Sequence, residues 1–145
     1  MPTRVARTEW SGNLTEGSGR TELVSSGLGA YEVSFPKRAA DDAGGATSPE
    51  ELIAAAHSAC YAMQLSALLT DAGSPPERLE VTAEVALGPD PAGGFHIPGI
   101  TLKVRGAVPG LDAEGFAKAA DAAKTGCPVS KALAGTKISL DAALA

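Results

Sequence analysis

Residues 48–60 have the sequence SPEELIAAAHSAC, which predicts the start of the longest helix in the chain. Ser48 is a typical N-cap, Pro49 takes the first helical position, and Glu51 stands where a capping box places a glutamate. The apolar pattern continues to about Ala72, after which a glycine and two prolines end it. A helix of roughly 24 residues is on the order of 36 Å long, about the width of a small domain.

This long helix is apolar on nearly every face, because alanines fill positions 54–56 and 59. A helix that is hydrophobic all round needs cover on every side, so we expect it to be central and buried. A chain of 145 residues offers few other elements to cover it. We therefore predict a homodimer in which two such helices pair across a two-fold axis. The polar residues His57 and Gln64 favour a core helix over a membrane span.

Three short strands are predicted before the long helix. The segments that suggest them contain Val5, Leu23-Val24 and Tyr31–Phe35, and glycines separate them within residues 4–36. Small and polar residues from Lys37 to Thr47 predict a loop that leads into the helix.

Two alternating segments follow the helix, over residues 79–87 and 100–105, and predict an antiparallel pair of strands. A second helix is predicted from the N-cap Asp112 to Lys124, and a short final strand over residues 136–140. The element order β-β-β-α-β-β-α-β, with a long central helix, is typical of the α+β class.

Length, composition and charge restrict what the chain can bind. The length predicts a single domain over residues 1–145. Hydrophobic residues make up 44% of the chain and the net charge is -5, with no block of like charge longer than two residues. This pattern argues against nucleic-acid binding.

The first ten residues contain no apolar run, so we expect no secretory signal peptide, no membrane insertion and a cytoplasmic location.

Two cysteines, Cys60 and Cys127, are the residues most able to carry chemistry. In a reducing compartment such a pair is more often catalytic, redox-active or metal-binding than structural. Cys60 lies about three turns into the long helix, where the dipole of the helix N-terminus no longer lowers a thiol pKa. Its activation therefore requires a neighbouring group, and His57, Arg20 and Arg38 are the candidates.

Cys127 stands directly before Pro128 and is predicted to be the N-cap of a short helix. Backbone N–H groups at such a position favour a thiolate. The residue is therefore either a nucleophilic second thiol, as a resolving cysteine has to be, or an unreactive turn residue.

Three motifs resemble the OsmC/Ohr family of thiol-dependent peroxidases. They are SPEELIAAAHSACY at residues 48–61, VPGLDA at residues 108–113 and GCPVSKAL at residues 126–133. The resemblance extends over nearly the whole chain and is closer to the OsmC branch than to the Ohr branch. It implies an intertwined homodimer, with the active site at the subunit interface, that reduces organic hydroperoxides or hydrogen peroxide with a thiol reductant such as a dihydrolipoyl dithiol. It implies no metal, haem or flavin cofactor.

The resemblance also implies roles for individual residues. Cys60 matches the peroxidatic cysteine, which becomes a sulfenic acid, and Cys127 matches the resolving cysteine, which forms a disulfide with it. Glu50 matches a glutamate that pairs with an arginine, and this arginine matches Arg38 in the OsmC branch and Arg20 in the Ohr branch. Glu50 and Cys60 are on the order of 15 Å apart along a straight helix. Either the bound arginine bridges them or the partner subunit supplies one member.

Two other functions are compatible with the sequence. The first is a zinc site formed by His57, Cys60, His96 and Cys127. Neither cysteine belongs to a short Cys-x-x-Cys pair, which is a weakness of this interpretation. The second is a non-catalytic binding module whose apolar cavity is lined by Tyr61, Met63 and Phe95.

Overall fold

The computed structural model describes residues 1–145, which form eight strands and four helices. The mixture of helices with mainly antiparallel strands confirms the predicted α+β class. The chain divides into two compact units, residues 1–52 and residues 53–145. The single domain expected over residues 1–145 stays a prediction.

The first unit is built on an antiparallel three-stranded sheet. Its strands follow the chain order and are β1 (Arg7–Ser11), β2 (Ser18–Glu22) and β3 (Ala30–Val33). Two of the predicted strand centres were wrong, because Val5 and Leu23-Val24 lie just outside the paired segments. Beyond β2 the chain turns at Leu23, whose N–H group donates to the Gly29 carbonyl and whose carbonyl accepts from the Gly27 N–H group, both at 2.9 Å. Val5 still lies beside Ser25, with which it exchanges two hydrogen bonds of 2.6 and 3.1 Å.

A short helix, α1 (Phe35–Ala39), begins inside the segment predicted as strand and extends into the predicted loop. Ser34 is its N-cap and accepts from the Lys37 N–H group at 3.4 Å, and Pro36 occupies the first turn. The loop prediction was therefore wrong at its start. The Ser-x-Pro spacing is the local signal for this helix, since serine and proline favour these two positions.

The second unit contains the other sheet and the core. Strands β4 (Arg78–Val85) and β7 (Ile100–Ala107) pair antiparallel, with Val81 opposite Val104, which confirms the predicted pair. The final strand β8 (Ile138–Leu144) pairs in parallel with β7. Between β4 and β7 lie two short antiparallel strands, namely β5 (Gly88–Pro89) and β6 (Phe95–His96).

Helix α3 (Ala113–Gly126) and the short helix α4 (Pro128–Ala132) connect β7 with the parallel strand β8. Asp112 caps α3 as predicted, and its Oδ1 accepts from the Gly115 N–H group at 2.8 Å. Parallel neighbours require such a crossover, because a tight turn can join only antiparallel strands.

The long helix, α2 (Pro49–Asp71), starts and ends within one residue of its predicted limits. Ser48 accepts from the Glu51 N–H group at 3.2 Å, as a capping box requires. The other half of the box differs, because the Glu51 carboxylate accepts from the Thr47 hydroxyl at 2.8 Å. By length and composition alone α2 could cross a membrane, but core helices of soluble proteins pass the same test.

One face of α2 enters the core of the second unit. Tyr61, Leu65 and Leu69 are fully buried at the i, i+4, i+8 spacing of a single helix face. They belong to one apolar cluster together with Leu102, Val104, Phe116, Ala120 and Ala123.

The opposite face of α2 is uncovered in the single chain. Met63 is 72% exposed, and Ala55, Ala59 and Ala67 are exposed on the same side. The expected burial on nearly every face is therefore not met within one chain. The reason is that the sheet of the second unit and α3 cover only one face of α2.

The close approach of β7 and α3 gives a stability test. A Cβ atom at Gly106 would lie 2.7 Å from the fully buried ring of Phe116 and 3.2 Å from Leu79. We expect Gly106→Ala to lower the free energy of unfolding by about 1–3 kcal/mol, because the packed ring has no room to move. Gly135→Ala is the control, because its Cβ would meet nothing within 4 Å. Urea unfolding measures the stability of both variants, and equal stability of the two would contradict the packing described.

Candidate active site

The two cysteines lie side by side in the second unit. Cys60 points from the buried side of α2, and Cys127 stands at the junction of α3 and α4. Their Sγ atoms are 3.1 Å apart, within hydrogen-bonding distance, and both are free thiols. Cys127 is fully buried whereas Cys60 is partly exposed. A disulfide bond is about 2 Å long, so a shift on the order of 1 Å would join the two sulfur atoms.

The two thiols differ in their surroundings. Burial raises the pKa of the Cys60 thiol, the Val129 N–H group opposes this, and the adjacent Cys127 raises it further. Burial also acts to raise the pKa of Cys127, but the N–H and hydroxyl groups of Ser130, the Cys60 thiol and the Val129 N–H group together lower it. The Cys127 side chain makes no capping hydrogen bond at the start of α4, but the dipoles of these nearby N–H groups still favour a thiolate. The pKa of Cys127 is thus shifted in the direction that favours a thiolate, although its reactivity stays a prediction, and the raised pKa of Cys60 means that this thiol needs a neighbouring cation to ionise.

His57 is fully buried one turn before Cys60 on α2. Its Nε2 atom is 2.8 Å from the Ser130 Oγ atom, whereas its Nδ1 atom has no hydrogen-bond partner. Burial lowers the pKa of the imidazole, which keeps it neutral at pH 7. Ser130 had no predicted role. The signal was its place three residues after Cys127 in Cys-Pro-Val-Ser, one helical turn from the thiol.

The first unit holds an arginine–glutamate pair. The Arg38 Nε atom donates to both oxygens of Glu50 at 3.1 Å, and Nη2 donates to Oε1 at 2.7 Å. The Glu50 side chain is only 8% exposed, and that of Arg38 is 34% exposed. Burial acts to raise the pKa of Glu50, but the hydrogen bond and charge of Arg38, a backbone hydrogen bond and the Ser48 side chain together outweigh it, so the net pKa is lowered.

Of the two candidate arginines, the structure joins Arg38 to Glu50. Helix α1 places Arg38 in its last turn, so the element that sequence analysis missed is the one that positions this side chain. Arg20 lies exposed on β2, opposite Glu9 and Glu32 in the register of the sheet.

A cavity of about 300 Å³ lies beside Arg38 in the first unit. Apart from Arg38, its lining is uncharged and largely apolar, and consists of Thr8, Trp10, Leu14, Thr21, Val33, Ser34, Phe35, Thr47, Pro49 and Leu52. A cationic group at the wall of an apolar cavity suits a ligand with one polar end and an apolar body.

The structure overturns both alternative sites. No three or more His, Cys, Asp and Glu side chains are grouped so that they could hold a metal ion, and His96 lies on β6 with its Nδ1 atom 3.9 Å from Asp90. The predicted zinc set is therefore not assembled. Tyr61 lies in the core and donates to the Ala120 carbonyl at 2.9 Å, whereas Met63 faces outward on the same helix. These two residues and Phe95 consequently do not line one cavity.

Comparison with known proteins agrees with the motifs around both thiols. The sequence model of the family described as OsmC-like protein matches residues 41–141. This chain belongs to the OsmC-like family. Peroxiredoxin OsmC of Escherichia coli (strain K12) is 41% identical to it over 138 residues, or 95% of this chain and 94% of that protein.

The Ohr proteins are more distant relatives of this OsmC-like chain. An organic hydroperoxide resistance protein of Xanthomonas axonopodis pv. citri is 33% identical over 105 residues, or 72% of this chain and 71% of that protein. The crystal structure of another such protein, from Elizabethkingia anophelis, matches with a TM-score of 0.80 at 27% identity, and covers 100% of this chain and 98% of that one. The higher identity to peroxiredoxin OsmC confirms the predicted branch.

The buried carboxylate of Glu50 makes the Arg38 pair sensitive to pH. We expect Arg38→Met to lower the free energy of unfolding at pH 7 by about 1–3 kcal/mol, because the buried carboxylate of Glu50 loses its partner. The loss is no larger because the Arg38 side chain is partly exposed, so that solvent screens the ion pair. The paired Glu50 has a lowered pKa, so its stabilisation is present above its unfolded pKa and is lost as the pH falls through the folded pKa. The difference between the proteins should therefore shrink towards about pH 4.

Arg20→Met provides the matched control, since it removes the same side chain from an exposed strand position. Urea unfolding at several pH values measures both. A cost for Arg38→Met that is independent of pH, or an equal cost for Arg20→Met, would contradict the pairing.

Proposed function

We propose that this OsmC-like protein is a thiol-dependent peroxidase that reduces organic hydroperoxides in defence against oxidative stress. The observation that carries the proposal is the 3.1 Å contact between the only two thiols of the chain. The names of its relatives, a peroxiredoxin and organic hydroperoxide resistance proteins, support the same reaction.

The reaction proceeds in three balanced steps. The Cys60 thiolate attacks the terminal oxygen of the hydroperoxide, the O–O bond breaks, and the products are a sulfenic acid and, after protonation, an alcohol. The Cys127 sulfur then attacks the sulfenic sulfur, a disulfide forms, and the hydroxide that leaves is protonated to water. An external dithiol finally reduces the disulfide and is itself oxidised.

The exposure of the two thiols supports the order in which we propose that they react. Cys60 is partly exposed and can meet a peroxide from solution, whereas Cys127 is fully buried behind it. Cys60 is therefore the peroxidatic thiol and Cys127 the resolving thiol.

The cation assigned to Cys60 in this proposal is Arg38. Burial raises the pKa of Cys60, so a thiolate at neutral pH requires a positive charge. An arginine stays charged at any working pH and can donate hydrogen bonds to a leaving oxygen. The nearly buried Glu50 holds Arg38 through Nε and Nη2 and does not engage Nη1 in these hydrogen bonds.

The apolar cavity beside Arg38 favours an organic hydroperoxide over hydrogen peroxide as the substrate. Its lining would contact an alkyl or aryl group, which hydrogen peroxide does not have. The reductant is a small or protein dithiol of the dihydrolipoyl type, and the cytoplasm is the compartment that keeps both thiols reduced.

We also propose that the protein works as a homodimer with its active site at the subunit interface. The uncovered face of α2 is apolar, and the first unit adds exposed side chains at Leu14 (58% exposed) and Leu28 (79% exposed). Soluble monomers rarely expose such extended apolar surface, and a two-fold dimer is the commonest arrangement that covers it.

Replacement of the cysteines tests the reaction. Cys60→Ser should abolish hydroperoxide consumption, because a serine hydroxyl is not ionised near neutral pH. Cys127→Ser should still consume about one equivalent of cumene hydroperoxide and then stop, with a sulfenic acid trapped at Cys60. Dimedone labelling and mass spectrometry detect that product. Sustained turnover of Cys60→Ser would exclude the mechanism, and normal recycling of Cys127→Ser would remove Cys127 from the resolving role.

Light scattering tests the assembly. The wild-type protein should have twice the mass of the 14.5 kDa chain. Met63→Glu places a charge on the uncovered face of α2, so it should yield monomers with little peroxidase activity. Thr82→Glu adds the same charge on the exposed face of β4 and should change neither property. A fully active wild-type monomer would contradict the dimer.

A further inference from the structure

One buried titratable group takes no part in the reaction described above. The His57 side chain has no exposed surface, yet its only hydrogen bond joins Nε2 to the Ser130 Oγ atom at 2.8 Å. Ser130 is itself buried on α4, three residues after Cys127, and its hydroxyl is among the groups that favour the Cys127 thiolate. These three residues form a series in which a hydrogen bond joins the first two, and Cys127, with the proposed resolving sulfur, lies one helical turn from Ser130.

The unpaired Nδ1 atom determines the direction of this series. A neutral imidazole carries one N–H group and one bare nitrogen. If Nδ1 held the proton, a buried N–H donor would lack an acceptor in the protein, because no partner lies within reach. We therefore assign the proton to Nε2, which donates to the Ser130 Oγ atom. The Ser130 hydroxyl proton is then free to turn towards Cys127.

We propose that His57 is a positioning residue that orients the Ser130 hydroxyl so that it donates to the Cys127 thiolate while this thiolate attacks the Cys60 sulfenic acid. The inference rests on the proposed function, in which Cys127 resolves the sulfenic acid. In that step a sulfur–sulfur bond forms and the sulfenic S–O bond breaks. The Cys127 sulfur is oxidised and the Cys60 sulfur is reduced. The proton that Cys127 gave up to solvent is matched by the one that converts the departing hydroxide to water.

The other titratable groups near this series act in the same direction or stay neutral. Cys60 lies against Cys127, with the two Sγ atoms 3.1 Å apart, and as a thiol it lowers the pKa of Cys127. Tyr61 remains protonated, because burial first, and then the charges of Asp121 and Cys127, raise its pKa. For His57 itself, burial alone moves the pKa, and it does so downward. A pH midpoint measured for Cys127 therefore reports on the donors that surround its sulfur.

A direct titration of Cys127 tests the proposal without any peroxide. In Cys60→Ser protein the ultraviolet absorbance of the thiolate follows Cys127 alone, and the serine retains a hydroxyl donor at position 60. We expect His57→Leu in this background to raise the midpoint by about one pH unit, because the Ser130 hydroxyl loses its orientation. His57→Gln should restore it, since an amide N–H of glutamine can reach the position of Nε2.

A merely structural role for His57 would give a different pattern. Ser130→Ala should raise the midpoint by the same amount as His57→Leu, and the double variant should shift no further than Ser130→Ala alone, since both act through one hydroxyl. Unchanged midpoints, additive shifts, or equal behaviour of the Leu and Gln variants would overturn the proposal. If His57→Leu does not fold, Ser130→Ala and His57→Gln decide by the same criteria.

Single-turnover kinetics in protein with both cysteines complete the test. With His57→Leu, formation of the sulfenic acid should keep its rate, whereas disulfide formation should slow roughly tenfold below the shifted midpoint. A loss in the first step alone would overturn the positioning role. Failure of the wild-type protein to consume hydroperoxide would instead reject the proposed function, and the titration would still decide whether His57 acts on Cys127.

Discussion

Burial of one face of α2 in the core of residues 53–145 determines where both thiols lie. Tyr61 and Leu65 fix the rotation of the helix against the sheet and α3, and Cys60 precedes Tyr61 directly. The same cluster includes Cys127 as a fully buried member. The sulfur–sulfur contact is thus a consequence of apolar packing, so a change in the core would be transmitted to the reacting atoms.

The arginine–glutamate pair follows a different principle from the thiol pair. Glu50 is nearly buried, and the Arg38 guanidinium, which donates to both of its oxygens, favours its charged form. The bidentate contact restricts the guanidinium to one orientation. A buried carboxylate therefore acts as an anchor that gives a flexible side chain a defined position.

The regular parts of the fold were predictable from the sequence, because the signals for them are local. The cap at Ser48, the cap at Asp112 and the alternation of β4 and β7 each predicted an element that the structure contains. Helix α1 was missed because its five residues interrupt a polar stretch with no apolar period. The exposed face of α2 could not be foreseen from its composition, since alanines pack equally well against either side of a helix.

In the candidate site, too, some features follow from local sequence signals and others only from long-range contacts. Cys60, Cys127 and Glu50 could be named from motifs that resemble those of a known family, whereas the sequence left Arg38 and Arg20 both open. The contact of His57 with Ser130 joins residues 73 positions apart, and no local pattern contains it. Long-range polar contacts of this kind depend on how α2 and α4 meet, which is a property of the tertiary structure.

The complete burial of Cys127 also restricts how the oxidised protein can be regenerated. In the proposed cycle, a reductant that approaches from solution would reach the partly exposed Cys60 sulfur of the disulfide and not the buried Cys127 sulfur, so the mixed disulfide would form at Cys60 and Cys127 would depart. A thiol with a lowered pKa is the better leaving group, and Cys127 is the one whose pKa is lowered. The geometry that shields the proposed resolving thiol would thus make regeneration regioselective, with the reductant exchanging with one sulfur only.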